Sequence, residues 1–206
     1  MDKLIKRVFK HNEILSSENF YTFIEKKKVV VFVPSKFLEI LTSEMSRAGA
    51  GVIGNYEMCS FRTNGTGTFK PNKKAKPFTG KKNILSYLEE VKLEMECSPE
   101  QVSKVVSALL KNHPYDEAAY EIYDFMKRDE KPLGLTIDLK TKMSFAELYN
   151  RINKTKIELE LSYNHELKGF AVINSEVNER IKESAKFINC KCIISKYKRN
   201  FKLIKM

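Results

Sequence analysis

The order of apolar and polar positions predicts an α+β fold for the first half of the chain. The run KKKVVVFVP over 26–34 is typical of a buried strand, and a helical apolar stripe follows it as far as Gly49. EVKLEMEC over 90–97 alternates strictly, and SPEQ over 98–101 opens a second helix. AAYEIYDF over 118–125 predicts a last strand. We interpret the order as β-α-β-β-α-β, which is the ferredoxin-like arrangement.

The ends of these two helices are predicted from single residues. Ser35 is placed to cap the first helix, and Gly49 ends it at a position that favours left-handed backbone. The second helix ends at His113, because Pro114 disfavours helix in the residue before it.

The second half of the chain predicts a second, small α/β domain. Its patterns are a strand GLTIDLK, a helix opened by a capping box from Ser144 to Glu147, an alternating strand IELEL over 157–161 and an apolar strand KGFAVIN. Ser175 is then placed to cap a helix, CKCIIS forms a strand, and FKLIKM adds an edge.

These patterns divide the chain at the charged segment KRDEKP, residues 127–132. We expect a ferredoxin-like domain over 28–126 and a second domain over 133–206. Residues 1–27 form a lead-in with short amphipathic helices around Leu4–Phe9 and Phe20–Ile24.

The glycine-rich stretch over residues 49–71 holds five of the eight glycines. Gly49, Gly51 and Gly54 allow sharp turns with positive φ. NYEMCSF predicts a strand, Asn64-Gly65 is a hairpin dipeptide, and TGTF resumes the strand. The three glycines also match GxGxxG, but a dinucleotide site needs a strand before this spacing and a helix after it. Here the order is reversed, so a Rossmann site is excluded.

The formal net charge of +11 raises the possibility of a nucleic-acid partner, and the residue types argue against it. The chain has 30 lysines and seven arginines, whereas arginine is the preferred reader of phosphates and bases. One local cluster lies in a predicted loop, where it forms either a solvated surface or a polyanion site. It comprises Lys70, Lys73, Lys74, Lys76, Lys81 and Lys82.

Several classes of protein are not indicated by the composition. No apolar run approaches the ~20 residues that span a bilayer, and the N-terminus lacks the apolar segment of a signal peptide. We therefore expect a cytoplasmic protein without a membrane partner. Cys59, Cys97, Cys190 and Cys192 fit neither a zinc pattern nor a disulfide framework, so buried or half-buried free thiols are expected.

Three motifs carry a resemblance to a known family. GAGxIGNYxxCSF, GTGTFxP and HPYDEAAYEIY over 113–123 resemble the domain inserted in bacterial members of the NIF-three-like family. These are dinuclear-metal-centre hexameric proteins that are often labelled GTP cyclohydrolase 1 type 2. The resemblance covers residues 28–126, is weaker over 133–195, and does not include the family's N-terminal half. It implies a fold similar to PII and CutA proteins, and self-association as a trimer or a multiple of three.

The metal site that the resemblance implies is not found in this sequence. The family's pair of metal ions is held by adjacent histidines before the inserted domain and by a histidine and a glutamate near the C-terminus. Here the histidines are His11, His113 and His165, none of them adjacent to another. We therefore expect no metal ligands, no cofactor and no catalytic residues, and the hydrolase label is not carried over.

The same motifs predict a ligand site between the glycine-rich stretch and the HPYDE turn. With the two helices parallel, their C-terminal ends lie at one end of the sheet, so the two turns form a shared cleft. The ligand-binding residues expected there are Gly49, Gly51, Gly54, Asn55, Tyr56, Ser60, Thr66, Gly67, Thr68, His113, Tyr115, Glu117 and Tyr120.

Three functional interpretations follow. The preferred one is a non-catalytic, oligomeric protein that binds an unknown small molecule or protein. The first alternative is a hydrolase of a nucleotide or phosphoester that uses His113 with Asp116, Glu117 or Tyr56 as acid–base groups. The second is a basic nucleic-acid-binding protein, whose affinity would fall steeply with salt.

Overall fold

The computed structural model describes residues 2–153, 166–197 and 200–206. They form two compact units, one over residues 25–127 and the other over residues 1–24 with 128–206. The elements up to the end of the first unit are α1 Asp2–Val8, β1 Ile14–Phe20, β2 Phe23–Val33, α2 Leu38–Arg47, β3 Phe61–Phe69, β4 Ser86–Cys97, α3 Val102–Asn112 and β5 Tyr120–Arg128. The remaining elements are β6 Gly134–Ser144, α4 Phe145–Asn153, β7 Glu166–Ile173, α5 Glu179–Phe187, β8 Cys192–Tyr197 and β9 Asn200–Lys205.

The unit over residues 25–127 has the predicted ferredoxin-like fold. Its four strands lie in the order β3-β4-β2-β5, and β4 runs antiparallel to both β2 and β3. The alternating residues Val91, Leu93, Met95 and Cys97 are buried, as their period of two predicts. The last three of them form one core cluster with Leu41 and Met45 of α2 and Val105 and Leu109 of α3. Both helices therefore cover one face of the sheet.

The two helices run in opposite directions, so the prediction that they are parallel is wrong. Helix α2 follows the end of β2 at Val33, and α3 follows the end of β4 at Cys97. Val33 lies opposite Val91 at one end of the β2–β4 ladder, and Cys97 lies opposite Lys27 at the other end. Because β2 and β4 are antiparallel neighbours, the helices start at opposite ends of the sheet.

The predicted hairpin at Asn64-Gly65 is also wrong. Both residues lie within β3, where Asn64 is opposite Val91 and Gly65 is opposite Glu90. A nine-residue ladder with β4 outweighs the local turn preference of the dipeptide, and the loop over residues 70–85 makes the connection instead. The segment NYEMCSF is mostly irregular, with a tight turn in which Ile53 and Tyr56 exchange main-chain hydrogen bonds of 2.9 Å.

The predicted helix ends are confirmed at some positions and wrong at others. Gly49 has φ of +105° after α2, as predicted, and the main-chain N–H of Ser98 donates to Gln101 Oε1 (3.3 Å) at the start of α3. Ser35 opens a 3₁₀ turn instead of capping α2. Ser175 does not cap α5 either, because Asn178 Oδ1 accepts from the main-chain N–H of Ile181 (3.0 Å).

The other unit contains a five-stranded sheet in the order β1-β6-β7-β8-β9. Residues 14–20 pair with β6 as a strand, and Phe23 and Ile24 begin β2, so the second amphipathic helix of the predicted lead-in is wrong. Helix α1 agrees with its pattern, and Leu4 and Ile5 are buried. The predicted strand over 157–161 lies outside the described residues. Among the residues with described structure, none of the helices is long and apolar enough to cross a bilayer.

Candidate ligand site

A cavity of about 570 Å³ lies in the unit over residues 25–127. Its volume is within the range of small-molecule sites. Apolar side chains, including Phe32, Phe69 and Phe78, form much of its wall, and a smaller number of polar groups lie among them. The polar residues include Thr63, Thr66, Thr68, Glu90, Lys92, Tyr115, Asp116 and Glu117.

The floor of the cavity is formed by β3 and β4. Thr63 lies opposite Lys92 and Gly65 lies opposite Glu90, and opposed residues of an antiparallel pair share a face of the sheet. Gly65 carries no side chain, and a Cβ atom there would meet nothing within 4 Å, so this part of the floor is open. A Cβ atom at Gly67 would lie 2.1 Å from Glu90 Oε2, so the Glu90 carboxylate packs directly against this glycine.

The loop over residues 70–79 contributes a second wall. The main-chain N–H of Asn83 donates to the carbonyl of Pro71 (2.7 Å) and closes the base of the loop. Asn72 Oδ1 accepts from the main-chain N–H of Lys74 (2.8 Å) and of Ala75 (3.1 Å). The Phe78 ring lies 6.0 Å from the ring of Tyr115, between centroids. These contacts hold the wall against the HPYDE turn.

Tyr115 and Glu90 form the central polar contact of the cavity. The Tyr115 hydroxyl donates to Glu90 Oε1 (2.7 Å). Burial, followed by this hydrogen bond to the carboxylate, raises the pKa of Tyr115 well above its ordinary value. The hydroxyl therefore stays protonated and acts as a donor. One Glu90 oxygen is engaged by Tyr115, and the other lies against Gly67.

His113 supports this contact from behind the cavity. Its Nε2 lies 3.0 Å from the carbonyl of Phe32, and its Nδ1 accepts from the main-chain N–H of Tyr115 (3.2 Å). These two contacts require the tautomer that carries its proton on Nε2. Burial lowers the pKa of His113, partly opposed by the Phe32 carbonyl and by Glu90. Main-chain groups therefore occupy both ring nitrogens of His113. This arrangement suits a residue that positions Tyr115 better than one that binds a ligand or transfers a proton.

The structure brings together only part of the predicted ligand set. Thr66, Gly67, Thr68, Tyr115 and Glu117 line the cavity. The remaining predicted residues are not among its lining: Gly49, Gly51, Gly54, Asn55, Tyr56, Ser60, His113 and Tyr120.

The antiparallel helices explain this separation. The main-chain N–H of Gly51 donates to the carbonyl of Glu96 (2.7 Å), whereas His113 meets Phe32. Glu96 lies opposite Lys28. Lys28 and Phe32 are four residues apart on β2, which corresponds to about 13 Å along the strand. The turns over residues 49–54 and His113 therefore lie at different places along β2. Of the predicted cleft, Thr66, Gly67 and Thr68 meet Tyr115 and Glu117 in the cavity.

Sequence reasoning missed Glu90, Phe32, Phe69 and Phe78 as cavity residues. Glu90 precedes the buried run of β4 as one of its outward-facing polar residues, so its position was predictable although its partner was not.

The cysteines and the possible metal-binding side chains do not indicate a second site in the described residues. The four cysteines are free and are buried or half-buried, as predicted. Within the described ranges, no group of three or more His, Cys, Asp or Glu side chains is placed to hold a metal ion. His165 lies outside these ranges.

Sequence comparisons identify relatives of the chain. No family model matches it. It is 41% identical over 128 residues to the GTP cyclohydrolase 1 type 2 homolog of Halalkalibacterium halodurans, covering 62% of this chain and 34% of that protein. It is 42% identical over 123 residues to the homolog of Bacillus subtilis, covering 59% of this chain and 33% of that protein.

A solved structure gives a match of the same kind. The Bacillus cereus protein related to NIF3 is 28% identical, with a TM-score of 0.47, and the match covers 94% of this chain and 52% of that one. The chain spans about a third of the length of the curated relatives it matches. These sequence matches confirm the resemblance predicted from the three motifs: the chain is similar to the GTP cyclohydrolase 1 type 2 homologues.

Proposed function

We propose that this chain is a non-catalytic, self-associating protein that binds a small molecule in the cavity of its ferredoxin-like unit and acts as a regulator. The observation that carries the proposal is the cavity of about 570 Å³ with apolar walls and the Tyr115–Glu90 contact in it. A mostly apolar wall with a few convergent polar groups is typical of small-molecule sites. This unit, residues 25–127, corresponds to the domain predicted from the sequence over residues 28–126.

The polar groups of the cavity support binding more than catalysis. Asp116 Oδ2 accepts from the main-chain N–H of Lys76 (3.2 Å), and Glu90 accepts from Tyr115, so both carboxylates hold the walls in place. The only histidine of this unit, His113, has both ring nitrogens occupied by main-chain groups. A general acid or base needs access to the proton that it transfers, and His113 lacks that access in this arrangement.

We extend the proposal to the metal pair and to the oligomer. The sequence has no adjacent histidines and none after His165, so we propose that the chain acts without the dinuclear metal site of its relatives. Exposed apolar side chains on the outer strands support self-association. Phe61 on β3 is 67% exposed, and Ile122 and Tyr123 on β5 are 42% and 52% exposed. Open strand edges with apolar side chains are commonly covered by another chain.

A ligand screen by thermal shift tests the proposal. Nucleotides, nucleosides, amino acids and divalent metal ions are added one at a time, and a ligand of the native state raises the melting temperature. Every hit is repeated with Glu90→Gln and Tyr115→Phe, which alter the central polar contact of the cavity. We expect at least one organic compound whose shift is lost in both variants. Chemical turnover of that compound by the wild-type protein would contradict a non-catalytic role.

A control separates the cavity from the rest of the molecule. Asn189 lines a different cavity, in the other unit, and is exposed. Asn189→Asp changes an exposed polar group there and should leave the ligand-induced shift intact. A shift that is lost in Asn189→Asp and kept in Glu90→Gln would place the ligand elsewhere and would refute the proposed site.

A further inference from the structure

A loop next to the cavity carries a cluster of exposed lysines, most of which do not line the cavity. It comprises residues 70–85 and contains Lys70, Lys73, Lys74, Lys76, Lys81 and Lys82, all of them exposed. No aspartate or glutamate occurs between residues 70 and 88. The ion pairs found among the described residues involve none of these six lysines. The loop is therefore a local positive patch without internal neutralisation.

The fold brings two lysine pairs of this loop side by side. The main-chain hydrogen bond from Asn83 to Pro71 closes the loop (2.7 Å), and Lys82 Nζ donates to the carbonyl of Lys73 (2.9 Å). Lys73-Lys74 and Lys81-Lys82 thus become neighbours although seven residues apart. Neighbouring positive charges repel one another, and a multivalent anionic surface would relieve that repulsion.

Two exposed aliphatic side chains lie two and three residues after Lys82. Ile84 is 55% exposed and Leu85 is 52% exposed. The Phe78 ring in the same loop is 47% exposed, with Lys36 Nζ 4.8 Å from its centroid and the Phe37 ring 5.8 Å from it. The loop contains no arginine to read phosphates or bases. Aliphatic groups beside lysines instead suit the interface of a lipid bilayer.

We propose that residues 70–85 dock onto the surface of a membrane that contains anionic phospholipids. The lysines bind the phosphate and carboxylate groups of the lipid headgroups, and Ile84 and Leu85 enter the boundary between headgroups and acyl chains. The sequence predicted no membrane partner because it has no spanning segment, and a peripheral contact of this kind needs none. This proposal does not depend on the ligand of the cavity.

Vesicle co-sedimentation of the full chain tests the proposal. One set of vesicles contains phosphatidylcholine alone, and the other contains about 30 mol% phosphatidylserine. Three variants are compared with the wild type. They are K73Q/K74Q/K81Q/K82Q, the aliphatic variant I84S/L85S, and the control K104Q/K111Q/K140Q/K186Q, which removes four exposed lysines outside the loop. None of the four loop lysines that are changed lines the cavity.

We expect the wild type to bind only the anionic vesicles, with binding at least about tenfold weaker in the loop variant and within about twofold of wild type in the control. The aliphatic variant should bind more weakly as well. If the loop variant and the control lost binding to the anionic vesicles equally, the binding would depend only on net charge, and the proposal would be refuted. Tighter binding to a single-stranded or duplex oligonucleotide, unchanged in I84S/L85S, would assign the loop to nucleic acid. Absence of binding to either kind of vesicle would refute the proposal outright.

Discussion

The Tyr115 hydroxyl donates a hydrogen bond of 2.7 Å to Glu90 Oε1 and joins the HPYDE turn to strand β4. Tyr115→Phe removes this donor and should lower the free energy of unfolding by about 1 kcal/mol at neutral pH. Burial and the Glu90 carboxylate raise the pKa of Tyr115 above its unfolded value near 10. The corresponding stability is complete below pH 10 and is lost as the pH rises further.

Chemical denaturation at several pH values measures both effects. Above pH 10 the stability of the wild type should fall more steeply than that of Tyr115→Phe. An equal pH dependence of the two proteins would show that folding does not raise the pKa of Tyr115.

Gly67 and Gly65 offer a matched pair of substitutions on one strand. A Cβ atom at Gly67 would lie 2.1 Å from Glu90 Oε2, whereas a Cβ atom at Gly65 meets nothing within 4 Å. Gly65→Ala should stabilise the protein by about 0.5 kcal/mol, because alanine loses less conformational entropy than glycine in a strand. Gly67→Ala should stabilise it less, because the flexible Glu90 side chain has to move away.

The two glycine variants also separate effects on the cavity from effects on folding. We expect Gly67→Ala to reduce the thermal shift produced by a ligand of the cavity, because it displaces the Glu90 carboxylate. Gly65→Ala should reduce that shift less, because a Cβ atom there leaves the Glu90 carboxylate in place. Similar ligand responses in the two variants would argue against a role for the Glu90 position.

His113 should make folding sensitive to mild acid. Burial lowers its pKa in the folded state below the ordinary value of 6.5. A depressed pKa means that the unfolded state binds the proton more readily, so stability is complete above pH 6.5 and falls as the pH drops below it. Protonation of Nδ1 would also remove the acceptor of the Tyr115 N–H. We expect this acid-dependent part of the unfolding free energy to be absent in His113→Gln.

An exposed histidine provides the comparison for this experiment. His11 is exposed, and His11→Gln should keep the acid dependence of the wild type. The interpretation fails if both histidine variants lose the same part of the pH dependence between pH 7.5 and 5.5, which brackets the ordinary pKa of histidine at about 6.5.

The metal content of the purified chain is a direct prediction from its histidines. With His11, His113 and His165 all separated in sequence, the adjacent pair that the family resemblance implies is absent. We expect elemental analysis to find less than one transition-metal ion per chain. About two zinc, iron or manganese ions per chain, retained after dialysis, would contradict the prediction, since a tightly held pair needs several well-placed ligands.

Self-association is predicted to give a trimer or a multiple of three. Ile122 lies on the outer strand β5 and is 42% exposed. A lysine on an edge strand opposes pairing with another chain, so Ile122→Lys should reduce the mass measured by light scattering. Ile40→Lys is the control, because Ile40 is 52% exposed on α2. A wild-type monomer at tens of micromolar, where a specific interface should be occupied, would contradict the prediction.

The period of the apolar positions by itself determined most of the helices and strands. Val91, Leu93, Met95 and Cys97 are buried because alternate residues of a strand face one side of the sheet, whatever its neighbours are. Helix α3 ends at Asn112, one residue before His113-Pro114, because proline disfavours helix in the residue that precedes it. Such signals act within a few residues and can be read locally.

The tertiary structure alone decided which residues form the cavity. Asn64-Gly65 favours a turn by itself, but pairing with β4 over nine residues holds it extended and places Gly67 beneath Glu90. Glu90 and Tyr115 are 25 residues apart and meet because β2 and β4 are antiparallel, which sends α3 back to the end of β2 at Phe32. The order and direction of strands depend on long-range pairing, and no local pattern of apolar residues records them.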